Sequence, residues 1–242
     1  ELFKDEYRLN RKIHEYSKPY IAFLDGITMG GGVGISIHGS HRIGTEKLIL
    51  SMPETGIGFF PDVGASYFLS RCQNELGLYA GLTSARLNVA DAIYLGLIDY
   101  QIPSDQLPAI KQSLLTTSLD FEKKEVIHDI LSRHSIKPSE STLLSHTEAI
   151  NTIFSAQHVE EIFDRLTVKN NTFSQETLTA LKTKSPISLK VTREEMLRGK
   201  NQTIAECLAM EYGLAKNFLH SHDFFEGIRA AIIEKDRMPH WN

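Results

Sequence analysis

The sequence has few cysteines and no long apolar run. Cys72 and Cys207 are the only cysteines among 242 residues, too few for a disulfide framework and without the CxxC spacing of a metal site. The longest unbroken apolar run is YIAFL, far below the roughly 20 residues that a helix needs to cross a bilayer. These absences argue against a disulfide-stapled secreted protein and a membrane-spanning helix, and favour a reducing compartment.

A surplus of positive charge is also lacking. Lys and Arg number 26 against 30 Asp and Glu, which gives a formal net charge of −4. Such a chain offers no broad electrostatic footprint for nucleic acid. Apolar residues make up 41% of the sequence, enough for a folded core. We therefore expect a globular protein with neither nucleic acid nor a membrane as its partner.

Strand and helix signals alternate through the first hundred residues. PYIAFLDG predicts a buried strand, and GGGVGISIHG predicts the start of a helix. HRIGTEKLILSM predicts two strand pieces on either side of Thr45 and Glu46. PDVGASYFLSRC predicts a helix, with Pro61 and Asp62 as its start signals. From about residue 103 the pattern is helical alone, in PSDQLPAIKQSLLTT, HVEEIFDRLTV, SQETLTALKTK, SPISLKVTREEMLRG and TIAECLAMEYGLAKNFLH. The sequence predicts an α/β core over residues 1–115 and a helical region over 116–242, with a soft boundary at 102–120 and a loop at SRHSIKPSESTLLSH.

The first twenty residues resemble the body of a helix. Leu2, Leu9, Ile13 and Tyr16 recur at helical spacing and predict its apolar face. Because the chain begins inside this pattern, we expect that earlier residues of the protein are absent from the sequence.

The stretch GITMGGGVGISIHGS contains three consecutive glycines, Gly30, Gly31 and Gly32. Glycine permits positive φ and lets another group approach the backbone closely. At the start of a helix, N–H groups uncovered by side chains can stabilise developing negative charge, as in an oxyanion hole. Close packing of a helix on a strand explains the glycines equally well, so the run alone leaves both interpretations open.

Two acids follow in SMPETGIGFFPDVGASYFL, where Glu54 and Asp62 lie among apolar residues. A carboxyl in apolar surroundings has a raised pKa, which suits a general base or a carboxylate nucleophile. The alternative for Asp62 is a helix N-cap, a position that Asp favours. The alternative for Glu54, directly after Pro53, is a solvated turn.

Other catalytic arrangements find little support. His38 and His41 are three positions apart, but no third ligand lies near them in sequence, so we predict no metal. The GxSxG motif of a serine hydrolase is absent from the sequence.

Four blocks together resemble the crotonase (enoyl-CoA hydratase/isomerase) superfamily and, within it, the hydrolases of 3-hydroxyacyl-CoA thioesters. The blocks are DGITMGGGVGISIHG, MPETGIGFFPDVGASYFLSR, GLTSARLNVADAIYLGLID and HDFFEGIRAAIIEKDRMPHW, which occur in order over nearly the whole chain. The resemblance implies a spiral of ββα units, a C-terminal helical region and an acyl-CoA thioester whose carbonyl binds an oxyanion hole. The N-terminal part of such a fold would precede Glu1, together with the second oxyanion donor and the CoA-binding loop.

The resemblance also assigns roles to four residues. Gly31 matches the glycine whose N–H is an oxyanion donor, Glu54 the catalytic glutamate, and Asp62 the aspartate that accompanies it in the hydrolases. Glu6, in KDEYRLN, matches a further acid of the substrate site. CoA is part of the substrate, so no separate cofactor is implied.

Two departures distinguish the branches of the superfamily. Hydratases carry a second catalytic glutamate where this chain has Gly34, and a glycine where it has Asp62. Both differences favour hydrolysis of a short 3-hydroxyacyl-CoA, with 3-hydroxyisobutyryl-CoA of valine breakdown as the leading substrate. An enoyl-CoA hydratase or isomerase and a non-catalytic acyl-CoA-binding scaffold remain alternatives. The sequence also leaves open whether the protein forms a homo-oligomer, and whether it is located in a bacterial cytoplasm or in a mitochondrial matrix.

Overall fold

The computed structural model describes residues 1–116 and 124–242. Its strands are short and parallel: β1 (Ile21–Leu24), β2 (Ile27–Met29), β3 (His41–Gly44), β4 (Ile49–Ser51) and β5 (Tyr100–Gln101). They form one sheet in the order β1-β3-β5 and a second that pairs β2 with β4. Parallel neighbours need a crossover connection, and the short helix α2 (Gly31–Ile37) lies in the connection from β1 to β3 and in that from β2 to β4.

The predicted strands in PYIAFLDG and HRIGTEKLILSM are confirmed as β1, β3 and β4. The sequence did not indicate β2 or β5, which are only three and two residues long. Segments of this length are too short to show the alternation of apolar and polar residues that predicts a strand.

The other helices of the first half are α1 (Leu2–His14), α3 (Ala65–Phe68), α4 (Leu76–Thr83), α5 (Val89–Tyr94) and α6 (Leu107–Thr116). The second half contains α7 (Lys124–His134), α8 (Thr147–Phe154), α9 (Val159–Lys169), α10 (Thr172–Lys182), α11 (Pro186–Gly199), α12 (Ile204–Phe218) and α13 (His222–Ile228). A 3-10 turn at Glu54–Ile57 joins β4 to the loop before α3. None of the helices described here is both long and apolar enough to cross a membrane.

The helical predictions after residue 103 are confirmed, and local sequence explains where the helices begin. The Ser185 side chain caps α11 ahead of a proline in its first turn, a preferred arrangement. Thr203 and Glu206 form a reciprocal capping box at the start of α12. The predicted loop at 132–146 overlaps the end of α7 and includes a 3-10 turn at Leu144–His146. Thr117, the last residue of PSDQLPAIKQSLLTT, lies outside the described residues.

The predicted apolar face of α1 is largely wrong. Leu2 and Leu9 are 76% and 46% exposed, and Tyr16 lies beyond the helix. The buried residues of α1 are Tyr7, Asn10 and Ile13. The helix therefore turns a partly polar face inward, which places Tyr7 and its neighbour Glu6 near the candidate site.

The main hydrophobic cluster contains residues from both sides of the predicted boundary at 115. Leu50 and Leu82 belong to it together with Ile153 and Leu189. The division into 1–115 and 116–242 therefore stays a prediction, and part of the soft boundary, residues 117–120, lies outside the described residues.

Candidate active site

Glu54 begins the 3-10 turn that follows β4 and points into the protein. Its side chain is only 5% exposed, so the solvated-turn alternative is wrong. A Cβ on Gly30 would lie 3.3 Å from Glu54 Oε1, and Gly30 has a φ of +52°. Glycine at position 30 thus lets the carboxyl approach the backbone at the start of α2.

Burial raises the pKa of the Glu54 carboxyl well above its usual range, and the charge of nearby Asp62 raises it further. Glu54 Oε2 has no hydrogen-bond partner among the described residues. A desolvated carboxyl with an unpaired oxygen binds a proton tightly and can accept one from a nearby molecule.

Asp62 does not cap a helix, so the capping interpretation is wrong. Helix α3 begins at Ala65 with Gly64 as its N-cap and no side-chain cap. The Asp62 carboxylate instead accepts a buried hydrogen bond of 2.8 Å from the Tyr7 hydroxyl. Burial raises the pKa of Asp62 to about 7, although the bond from Tyr7 opposes the shift. Asp62 is thus a buried acid that titrates near neutrality.

Glu6 reaches the same glycine segment from α1. A Cβ on Gly31 would lie only 2.9 Å from Glu6 Oε1, and partial burial raises the pKa of Glu6. Because Gly31 is the first residue of α2, its N–H has no acceptor within that helix. The Gly30–Gly31 segment therefore lies against two carboxyl groups, those of Glu54 and Glu6.

Gly34 lies two residues after the glycine run and allows close packing. A Cβ on Gly34 would lie 2.7 Å from Val63 Cβ and 2.8 Å from Asn10 Nδ2. Real side chains do not tolerate such contacts, so no residue larger than glycine fits without displacing Val63. The position at which hydratases carry their second glutamate has no room for one here.

The turn after Asp62 is strained and held from two sides. Val63 has a φ of +53°, which is unfavourable for a β-branched residue. The His38 ring lies 2.7 Å from the Val63 carbonyl oxygen through Nε2, and Glu211 accepts the Gly64 N–H at 2.7 Å. Burial lowers the pKa of His38 to about 4, so at neutral pH Nε2 carries the single ring proton and donates to this carbonyl.

The two histidines weighed as metal ligands have separate partners. His38 bonds to the Val63 carbonyl, while His41 Nδ1 lies 2.9 Å from Ser40 Oγ. Within residues 1–116 and 124–242 no group of three or more His, Cys, Asp or Glu side chains could hold a metal ion.

Sequence reasoning missed the residues that support the site from distant helices. Tyr7 binds Asp62 across 55 positions, and Glu211 binds Ser66 across 145. Glu195 of α11 is 1% exposed, and neither carboxyl oxygen has a partner among the described residues. Burial raises the pKa of Glu195 well above its usual range, with further contributions from Glu211 and Asp62. Apart from the adjacency of Tyr7 to Glu6, the sequence carried no signal for these residues.

These features are those of a crotonase-like fold with buried acids at the first turn of its glycine-rich helix. The family profile for enoyl-CoA hydratase/isomerase matches residues 1–242, and the chain belongs to that family. The mitochondrial 3-hydroxyisobutyryl-CoA hydrolase of Bos taurus is 42% identical over 246 residues, covering 100% of this chain and 63% of the relative. The resemblance inferred from the sequence is therefore confirmed.

Two solved structures are similar in fold. A carnitinyl-CoA dehydratase from Mycobacterium thermoresistibile has a TM-score of 0.90 and 37% identity, covering 99% of this chain and 67% of that one. An enoyl-CoA hydratase from Rhodobacter sphaeroides 2.4.1 has a TM-score of 0.89 and 36% identity, covering 99% and 68%. They confirm the predicted fold class. The chain spans about 63% of the length of the curated relatives that it matches.

Proposed function

We propose that the protein hydrolyses a short 3-hydroxyacyl-CoA thioester, with 3-hydroxyisobutyryl-CoA as the leading substrate. The observation that carries the proposal is the packing at Gly34, which leaves no room for the second glutamate of a hydratase. In its place the site offers Asp62, buried and bonded to Tyr7. The name of the Bos taurus relative supports the same reaction.

In one route Glu54 acts as a general base. The ionised form of Glu54, which its raised pKa makes less populated but more basic, takes a proton from water. The water oxygen attacks the thioester carbonyl, and the Gly31 N–H donates a hydrogen bond to the resulting oxyanion. The C–S bond then breaks, and the departing thiolate takes the proton from Glu54. Asp62 orients the water or the 3-hydroxyl group of the substrate, and Glu6 contributes to the substrate site beside Gly31.

In the other route Glu54 is the nucleophile. A carboxylate oxygen attacks the carbonyl, the thiolate leaves, and water hydrolyses the mixed anhydride. Single-turnover hydrolysis in ¹⁸O-labelled water separates the routes. Label in the Glu54 carboxyl supports the anhydride, because the general-base route places label only in the product acid.

Thiol release is the direct test of the proposed reaction. The full-length gene product should release free thiol from 3-hydroxyisobutyryl-CoA, and Glu54→Gln should lower kcat by several orders of magnitude while the fold stays intact. Glu194→Gln, an exposed change on α11, is the matched control. Binding of the thioester with no thiol release by the wild-type protein would contradict the proposal and favour an acyl-CoA-binding scaffold.

A hydratase is the second candidate, because the two similar structures are named a dehydratase and a hydratase. Hydration of crotonyl-CoA at a rate above that of thiol release would support it. An acyl-CoA is the partner in either case. We further propose a location in the mitochondrial matrix if the source is eukaryotic, since the Bos taurus relative is named as mitochondrial, or in the cytoplasm if it is bacterial. Association between copies stays a prediction, to be tested by sedimentation.

A further inference from the structure

Helix α13 packs against the 3-10 turn Glu54–Ile57, which we call the Glu54 turn, with no side chain between the two backbones. A Cβ on Gly58, the residue after the turn, would collide with the Asp223 carbonyl oxygen of α13, and a Cβ on Gly227 would collide with the Ile57 carbonyl oxygen. Backbones approach this closely only at glycine. Because close-packed elements transmit strain, a displacement of α13 also displaces the Glu54 turn.

The Asp223 side chain joins α13 to the start of α11. Asp223 is only 2% exposed, and its Oδ2 accepts a hydrogen bond of 2.5 Å from the Ser185 hydroxyl. Ser185 is the N-cap of α11, and its backbone N–H donates to the Thr55 carbonyl at 3.1 Å. Two hydrogen bonds thus lead from Asp223 through Ser185 to Thr55, the residue next to Glu54.

The other carboxyl oxygen of Asp223 binds the segment 234–242, which we call the strap. The strap follows a π-helical turn at Arg229–Ile233. Asp223 Oδ1 accepts the Asn242 N–H at 2.9 Å, and His222 Nδ1 lies 3.3 Å from the same oxygen. Asp223 is therefore the point at which α11, α13 and the strap meet.

The strap is also joined to α13 through Arg229. The Arg229 guanidinium donates to both carboxyl oxygens of Glu226 on α13, at 2.9 and 2.7 Å, and to Asp236 at 2.6 Å and the Met238 carbonyl at 3.2 Å. The His240 N–H donates to Glu226 at 2.8 Å. Paired bonds between a guanidinium and a carboxylate are among the stronger hydrogen bonds in proteins. The strap and α13 thus form one hydrogen-bonded unit, which Asp223 attaches to α11.

We propose that Asp223 is a positioning residue for Glu54. The catalytic role of Glu54 itself rests on the proposed function. Asp223 acts through the backbone: it fixes α11 and α13 against each other, and both helices contact the Glu54 turn through backbone atoms. A carboxylate binds a hydroxyl and an N–H more strongly than a neutral acceptor does. Without Asp223 the Glu54 carboxyl should therefore move relative to the Gly31 N–H, and the reaction depends on the placement of these two groups.

Turnover tests this role against a matched control. Asp223→Ala should lower kcat about tenfold to a hundredfold and leave KM near the wild-type value, because a misplaced reacting group affects the transition state more than binding. Asp91→Ala is the control, since Asp91 is 3% exposed and likewise accepts a hydroxyl, that of Ser141 at 2.7 Å, and a backbone N–H, that of Thr142 at 2.8 Å. It should lose stability but keep its kcat. Equal kcat values for the two variants would refute the proposal.

Two further variants keep the test decisive if Asp223→Ala does not fold. Asp223→Asn retains an oxygen for the Asn242 N–H and gains an amide N–H that donates to the Ser185 oxygen, so it should keep most of the wild-type kcat. Ser185→Ala breaks the connection on the α11 side and should lower kcat as Asp223→Ala does. A folded Ser185→Ala protein with the wild-type kcat would overturn the proposal.

Hydrogen exchange separates this inference from the proposed function, because it needs no turnover. The Gly56 and Phe59 N–H groups donate to the Pro53 and Glu54 carbonyls. In the full-length gene product, Asp223→Ala should speed their exchange, and Asp91→Ala should not. Unchanged exchange at both amides in Asp223→Ala would overturn the positioning role whatever the activity. Faster exchange, found together with a wild-type protein that releases no thiol, would support the positioning of the turn and contradict the hydrolase alone.

Discussion

At the scale of single residues, burial raises the pKa of Asp62 and the hydrogen bond from Tyr7 limits the rise. The bond stabilises the Asp62 carboxylate and opposes the effect of burial, which leaves the pKa near 7. Tyr7→Phe removes the donor, so the pKa of Asp62 should rise above 7. If the reaction needs Asp62 ionised, the acid limb of the pH–rate profile shifts to higher pH.

The matched control for this change is Tyr16→Phe, because Tyr16 is 48% exposed and follows the same helix. Its pH–rate profile should coincide with that of the wild type. An unshifted pH–rate profile in the Tyr7→Phe protein would show that the Tyr7–Asp62 hydrogen bond does not control the ionisation on which the rate depends.

Gly34 is the residue at which added volume should cost most. Gly34→Ala places a methyl group 2.7 Å from Val63 Cβ, and overpacking of this kind costs about 1–3 kcal/mol. Gly213→Ala, in the middle of α12 with nothing within 4 Å of the new Cβ, should instead stabilise by up to about 1 kcal/mol. Urea unfolding of the two variants measures the difference, and equal stabilities would contradict the packing argument.

The site was predictable from the sequence only in part. Contiguous blocks pointed to Glu54, Asp62 and Gly31, and the segment KDEYRLN pointed to Glu6; the catalytic roles of these residues stay predictions. The sequence around Asp62 favoured a helix N-cap, which is wrong. An Asp that caps a helix and an Asp that is buried can have the same neighbours in sequence. Glu211 could not be found, because its partner Ser66 is separated from it by 145 positions and only the tertiary fold joins them.

At the scale of elements, the turn between Asp62 and α3 depends on α2 and α12. His38, the residue that follows α2, donates a hydrogen bond to the Val63 carbonyl, and the Glu211 carboxylate of α12 accepts one from the Gly64 N–H. A strained turn persists only when its surroundings hold it. His38→Ala leaves the buried Val63 carbonyl unpaired, so we expect a loss of about 1–3 kcal/mol in the free energy of unfolding.

The control is His220→Ala, because His220 is exposed after α12. Since Asp62 precedes the turn, His38→Ala should also shift the pH–rate profile, which a remote loss of stability would not do. Restored stability and profile in His38→Gln, which keeps an N–H donor, would support the role of the hydrogen bond. A His38→Ala protein as stable as His220→Ala would exclude it.

The elements themselves were predicted with uneven success for physical reasons. The helices α9 to α12 were predicted closely because each is long enough to show a 3.6-residue period, and three of them begin at a capping side chain, that of Asn171, Ser185 or Thr203. The face of α1 was misjudged because it buries Tyr7 and Asn10 while it exposes Leu2 and Leu9. Tyr7 faces inward and its hydroxyl donates to Asp62, a partner 55 positions away that no amphipathic pattern records.

At the scale of the whole molecule, four buried acids should make stability depend on pH. The pKa values of Asp62 and Glu211 are raised to about 7 and about 8, and those of Glu54 and Glu195 rise well above their usual range. The folded chain therefore holds protons that the unfolded chain releases above its ordinary values of 3.8 and 4.5. The free energy of unfolding should fall as pH rises from about 5 to 8.

Urea unfolding at pH 5 and pH 8 measures this dependence. Glu195→Gln removes one of the titrating groups, so the difference between the two pH values should shrink. Glu194→Gln changes the exposed neighbour on the same helix and should leave the difference unchanged. A protein more stable at pH 8 than at pH 5 would contradict the protonated state of the buried acids.

The contact between Gly34 and Val63 also constrains how this protein can change over evolutionary time. A glutamate at position 34 requires that both Val63 and Asn10 give way, because a Cβ there would lie 2.7 Å from Val63 Cβ and 2.8 Å from Asn10 Nδ2. Val63→Gly relieves the positive φ and opens part of the space, so Gly34→Glu should be tolerated better after that change than before it. The two changes should be strongly non-additive. The residue beside Asp62 therefore constrains whether position 34 can acquire a second acid.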